Sequence, residues 1–257
     1  MSRALLSNLC NALLAWSTGA VNEVTAIAGG VRARVREEMR REILDAARRR
    51  LALDGSAALS LRAVARDVGL VSSAVYRYVP SRDALLTELI VEAYTSFADT
   101  VTAADAAEEP SDFRARWTAI ARSTRTWAVA HPHQWALIYG SPVPGYVAPE
   151  DTIQPAIRVP LLLAGMLSDA WAAGAVRRGE PVPGDVVDIL DLAQYFAAGV
   201  PPDVVVRGLG AWTYVVGSVS AQLFGQRHRV IAPDAFERFY EEELRRTADM
   251  VGFAAPA

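Results

Sequence analysis

The sequence predicts an all-α protein in two parts, and three observations lead there. Apolar residues recur at intervals of three and four from residue 32 onward, no stretch of useful length alternates apolar with polar, and breaks at glycine or proline divide the chain into helix-length segments. The 257 residues, 52% hydrophobic and 21% charged, suffice to bury a core in one large domain or two smaller ones. The single Cys10 excludes an intramolecular disulfide. Three histidines and one cysteine leave little material for a structural zinc site, which suits a reducing, cytoplasmic compartment.

Residues 1–30 differ from the rest of the chain, with Arg3 and Glu23 as their only charges and an apolar run broken by Ser7, Asn8 and Asn11. A secretory signal would have a basic start and an unbroken apolar stretch, so this segment reads as an N-terminal extension. From Arg32, Val35, Met39, Ile43, Ala46, Ala47 and Leu51 mark one face of a first helix that Asp54-Gly55 ends. A second helix follows Ser60, a candidate N-cap, and runs through Leu61, Val64, Ala65 and Val68 to Gly69. A third spans Ser72 to Val79 and stops at Pro80, and Ser81 can cap a fourth that starts at Arg82.

The fourth helix keeps Leu85, Leu86, Leu89, Ile90, Ala93, Phe97 and Val101 on one stripe until the acidic "AADAAEEPSD". Phe113, Trp117, Ile120, Thr124 and Trp127 mark a fifth, closed by His131-Pro132, with His131 expected to cap the short helix "HQWALIYG". Four more are expected around Ala156 to Ala173, Asp185 to Ala198, Pro202 to Phe224 and Pro233 to Val251.

Charge is uneven along these elements. Val31 to Val79 carries 11 arginines against 6 acidic residues, a net +5, while the remainder carries 15 against 23. A local positive field attracts a polyanion even when the whole chain has a net charge of −3. A solvated helix face laced with ion pairs would carry the same charges.

The stretch "LSLRAVARDVGLVSSAVYRYVPSRDALL" places a helix, a glycine turn and a short helix in succession, the plan of a helix-turn-helix whose second helix enters the DNA major groove. Ala65 is small enough for close helix approach, Gly69 permits the sharp turn, and Val64 and Val75 anchor the pair to the first helix. Ser72, Ser73, Ala74 and Arg77 then face outward toward bases and phosphates, and a tyrosine hydroxyl can donate to a phosphate oxygen.

This stretch resembles the N-terminal domain of the TetR (AcrR-like) family of bacterial transcriptional regulators. The resemblance is carried by Gly55, Ser60, Ala65, Gly69, Tyr76, Tyr78, Val79, Ser81, Arg82 and Leu85. Tyr78 stands where the family pattern has histidine, Val79 where it has phenylalanine, and Arg82 where it has lysine. The resemblance implies DNA contacts by Ser60, Arg62, Ser72, Ser73, Tyr76, Tyr78 and Arg82. It also implies a DNA-binding domain over residues 31–85 and a helical ligand-binding and dimerisation domain over 86–257. "WAVAHPHQWALIYGSP" is similar to the regulatory domain of one branch of these regulators, with Trp212 as the tryptophan of a late helix.

Trp117, Trp127, Trp135, Trp171, Tyr139 and Tyr146 could line an apolar ligand pocket, although aromatics at helical spacing also build cores. His131 and His133 have no carboxylate or cysteine close in sequence, so no metal is expected. The Pro202 to Phe224 segment nearly has the length and apolarity of a membrane span. Its Arg207, Ser218, Ser220 and Gln222, with its small residues, favour a homodimer interface and no membrane partner. The expected function is thus a ligand-responsive repressor without a cofactor, acting on a palindromic DNA operator as a homodimer and answering to a small apolar or aromatic ligand. An architectural DNA-binding protein is one alternative. An enzyme with a basic helical domain is another, but no nucleophile, base and orienting group assemble from these residues.

Overall fold

The computed structural model describes residues 33–187, 196 and 199–254. The N-terminal extension and most of the helix expected at Asp185 to Ala198 lie outside the described residues. All regular structure among the described residues is helical, and contacts divide the chain into two compact units between Leu85 and Leu86.

In the first unit, helix α1 (33–54) buries Ile43, Ala46, Ala47 and Leu51, while Val35, expected on that stripe, is exposed. The helix ends where Gly55 takes a φ of 75°, in the left-handed region that a side chain disfavours. Helices α2 (Leu61–Asp67) and α3 (Ser72–Val75) come next, joined by a turn in which Gly69 has a φ of 70° and the Leu70 amide donates to the Ala65 carbonyl at 2.8 Å.

Two local expectations change here. Ser60 takes the extended N-cap geometry, but its side chain makes no capping bond. Helix α3 ends at Val75, not Val79. Beyond it the Arg77 and Tyr78 amides bond back three residues, to Ala74 and Val75, because Pro80 disfavours helical geometry at Val79 and the chain tightens into turns before it. Helix α4 (Arg82–Ala106) starts under Ser81, whose Oγ accepts from the Ala84 amide at 3.0 Å.

The second unit adds α5 (Phe113–Ala130), α6 (Pro132–Tyr139), α7 (Ile153–Ala172), α8 (Gly184–Val187), α9 (Pro202–Leu223) and α10 (Phe236–Val251). Asp112 caps α5 by accepting from the Ala115 amide. His131 takes the N-cap position of α6, as expected, but its side chain makes no capping bond. Its ring stacks on Trp127, and its Nδ1 donates to the Trp127 carbonyl, which also accepts from the His131 amide at the end of α5.

Helix α10 packs on α9 and α5, and polar bonds fix that register. The Trp117 indole donates to Thr247 Oγ1 at 3.0 Å and the Tyr240 hydroxyl to the Ala121 carbonyl at 2.7 Å. Arg114–Asp249 and Arg122–Glu241 flank them at the surface. By length and composition α9 could cross a bilayer, but it packs against α5, α6, α7 and α10, with Arg207 and Ser218 hydrogen-bonded inside the protein.

Near the end of α4, buried Asp105 accepts two hydrogen bonds from Arg116 of α5, at 2.8 and 3.0 Å. Asp105→Ala strands a largely buried guanidinium, so it is expected to destabilise the protein by about 3 kcal/mol. Glu241→Ala breaks the exposed pair with Arg122 and should cost less than about 1 kcal/mol. Urea unfolding of both variants checks this, and equal losses would show that burial does not govern these pairs.

Candidate nucleic-acid interface and apolar cavity

The small residues of the helix-turn-helix determine which side chains stay outside. Val64, Ala65 and Val75 are buried where α2 and α3 pack, and so is Ala74, which was expected to face outward; this turns Ser72, Ser73, Tyr76 and Arg77 outward. Tyr76 is 48% exposed, Arg62 of α2 is exposed, and Ser60 and Tyr78 are half-buried. Arg36 of α1 donates to the Arg77 carbonyl at 3.0 Å and so ties α1 to the chain just past α3.

Ion pairing sorts the arginines of this unit. Arg50 holds Asp67 with two bonds of 2.7 Å, and those hydrogen bonds keep the Asp67 carboxyl below its ordinary pKa. Arg62, Arg66 and Arg77 have no acceptor among the described residues. Arg66 is a residue that the sequence reading missed, although its place four residues after Arg62 puts both on one face of α2. Arg82, expected on a phosphate, has a local task. Its guanidinium donates to the carbonyls of Leu59 and Ser56 at 3.0 Å and of Ala57 at 3.2 Å, clamping the turn between α1 and α2.

The second unit contains a cavity of about 290 Å³. Helix α5 contributes Trp117 to its wall, α7 contributes Ile157, Pro160, Leu163, Ala164 and Leu167, and α9 contributes Gly208, Leu209 and Trp212. Phe196 completes it. Pro160 lies inside α7, where it has no N–H to give the Ala156 carbonyl. Gly208 lets α9 approach α7, since a Cβ there would lie 2.4 Å from Leu167 Cδ1.

Of the six aromatics expected around a pocket, only Trp117 lines this one. Phe97 packs against Trp127, Trp135 and Tyr139 in the core, where the Trp127 and Trp135 indoles donate to Ser96 and Ser220. Burial pushes the Tyr139 phenol above its ordinary pKa. Tyr146 shares a 2.9 Å hydrogen bond with Thr87, and Trp171 lies under Arg178. The other lining residues were missed; for Gly208 and Trp212 the four-residue spacing on one face of α9 was the available signal.

Beside the cavity, Arg207 donates to Asp203 and to the Arg177 and Val251 carbonyls. Burial alone would raise the pKa of the Asp203 carboxyl, but the Gly179 amide and Arg207 outweigh it and hold that pKa below its ordinary value. Among the described residues no group of three or more His, Cys, Asp or Glu could hold a metal.

Residues 43–89 match the family described as bacterial regulatory proteins, tetR family, and residues 117–247 match the tetracyclin repressor-like C-terminal domain. The HTH-type transcriptional regulator Rv1816 of Mycobacterium tuberculosis is 45% identical over 206 residues, covering 77% of this chain and 86% of that protein. The crystal structure of regulatory protein SCO4313 is 34% identical with a TM-score of 0.67, covering 84% of this chain and 97% of that one. A protein of unknown function from Rhodococcus sp. RHA1 is 25% identical with a TM-score of 0.61, covering 84% and 95%.

Because Arg82 bonds three carbonyls of one turn, Arg82→Ala is expected to destabilise the first unit by about 2 kcal/mol. Hydrogen exchange should then quicken at the amides of residues 59–65. Unchanged protection there would mean that the clamp is dispensable.

Proposed function

The chain belongs to the tetR family of bacterial regulatory proteins and is a DNA-binding transcriptional regulator, not an enzyme, and we propose that it is a ligand-responsive repressor. In this reading it binds a palindromic operator in the cytoplasm as a homodimer and leaves it when a small apolar molecule fills the cavity between α5, α7 and α9.

The observation that carries the proposal is the outer surface of the helix-turn-helix. Ser72, Ser73 and Tyr76 are exposed there, and Arg62, Arg66 and Arg77 have no acceptor among the described residues. Arginines already paired to carboxylates add little attraction for a phosphate, whereas unpaired ones release counterions on binding. Arg62, Arg66, Arg77 and the Tyr76 hydroxyl take phosphates, and Ser72 and Ser73 face base edges. Ser60 and Tyr78, half-buried, reach the DNA backbone only at the rim. Arg82 acts through the turn that it clamps.

The dimer forms through α9 and α10. Val206, Leu209 and Tyr214 on α9 and Phe239 and Met250 on α10 are large apolar or aromatic side chains left exposed in one chain. A second copy would cover them with the same surface.

Arg77→Ala is expected to weaken binding to operator and random DNA alike and to lower the salt slope by about one unit. Ser73→Ala should change base preference and leave that slope in place. Salt titrations against both DNAs separate the two, and a shift of sequence preference in Arg77→Ala with an intact slope would overturn the docking proposed here.

The same surface argument applies to Gly217, where an added Cβ meets nothing within 4 Å in one chain. Gly217→Arg should therefore fold but sediment as a monomer. A stable dimer from that variant would place the interface elsewhere.

A further inference from the structure

We propose that the cavity between α5, α7 and α9 selects uncharged, largely apolar ligands that carry a hydrogen-bond acceptor, and that the Trp212 indole N–H receives that acceptor. The inference rests on the reading of this cavity as a ligand site and adds to it the class of molecule and the residue that orients it.

Charge is the first argument. Among the described residues that line the cavity, none is ionisable. Three arginines neighbour lining residues in sequence, and each is already engaged. Arg116, next to Trp117, holds Asp105; Arg158, next to Ile157, holds Asp99; and Arg207, next to Gly208, holds Asp203 and two carbonyls. An anionic ligand would leave water without a free cation among the described residues to meet it, and an unpaired buried charge is strongly unfavourable. A neutral molecule meets no such penalty.

The second argument is the inventory of donors. Among the described residues, the Ile, Leu, Ala, Pro and Phe side chains of the wall offer none, which leaves the two indoles. The Trp117 N–H is spent on Thr247. The Trp212 N–H has no acceptor among the described residues, although its ring is partly buried against the core. A half-buried donor without a partner gains when a ligand carbonyl or ether oxygen reaches it. At about 290 Å³ the space lies near the lower end of ordinary ligand pockets, about 300–1,000 Å³, and suits a molecule of bicyclic-aromatic size.

The test uses the full chain, labelled with nitrogen-15, and three probes of nearly equal shape: 2-acetylnaphthalene, 2-ethylnaphthalene and 2-naphthoate. The ketone should bind about tenfold more tightly than the hydrocarbon. The carboxylate should bind on the order of a hundredfold more weakly than the ketone. The indole resonance that is missing in Trp212→Phe should move downfield with the ketone and not with the hydrocarbon. Trp212→Phe should also abolish the preference for the ketone while it keeps the affinity for 2-ethylnaphthalene, which doubles as the control for folding.

Equal binding of 2-naphthoate, a ketone preference that survives Trp212→Phe, or no binding of any naphthyl probe would overturn the inference. Selective binding that leaves operator affinity unchanged would support it and instead sink the ligand response proposed above. A carboxylate that fills the cavity and releases operator DNA would do the reverse.

Discussion

The hydrogen bond from the Trp117 indole to the Thr247 hydroxyl, 3.0 Å long and sealed from water, fixes the second unit. A buried indole N–H without an acceptor is costly, so this bond sets both the rotamer of Trp117 and the register of α5 against α10. In that register Tyr240 reaches the Ala121 carbonyl, and Arg114 and Arg122 meet Asp249 and Glu241. Phe253, just past α10, then lies against Trp117 and pairs its backbone with Val176. Arg207 gathers the Arg177 and Val251 carbonyls, so the end of α10 is tied to the first turns of α9.

The cavity results from the same arrangement. Trp117, held by its nitrogen, turns part of its ring to a space that α7 and α9 do not fill. Gly208 brings those two helices into contact at Leu167, and Pro160 breaks the regular bonding of α7 at the cavity wall. The arginines next to the wall serve the scaffold, each tied to a carboxylate or a carbonyl. What remains is a largely apolar space, in whose described wall the Trp212 indole has no acceptor among the described residues.

In the first unit the same sorting of arginines has another result. Arg50 and Arg82 are consumed by structure, one on Asp67 and one on the turn after α1. Arg62, Arg66 and Arg77 find no acceptor among the described residues and face solvent. A chain with a net charge of −3 can therefore present a positive field over one small surface.

How far the sequence reached depends on whether a feature is local. The order of helices, the glycine turn at Gly69, the cap by Ser81 and the burial of Val64, Ala65 and Val75 were legible, because helical periodicity, left-handed glycines and N-caps act within a few residues. Of the aromatics expected around a pocket, Trp117 lines the cavity, while Trp127, Trp135, Tyr139, Tyr146 and Trp171 lie elsewhere, because spacing shows that a residue faces inward and not which neighbours it will meet. The task of Arg82 was hidden for the same reason, since its partners lie 23 to 26 residues away. The sequence by itself determined the all-α class, the helix-turn-helix and the family. Only the tertiary structure decided which arginines stay free and which aromatics enclose a space, because both depend on partners that distant parts of the chain bring together.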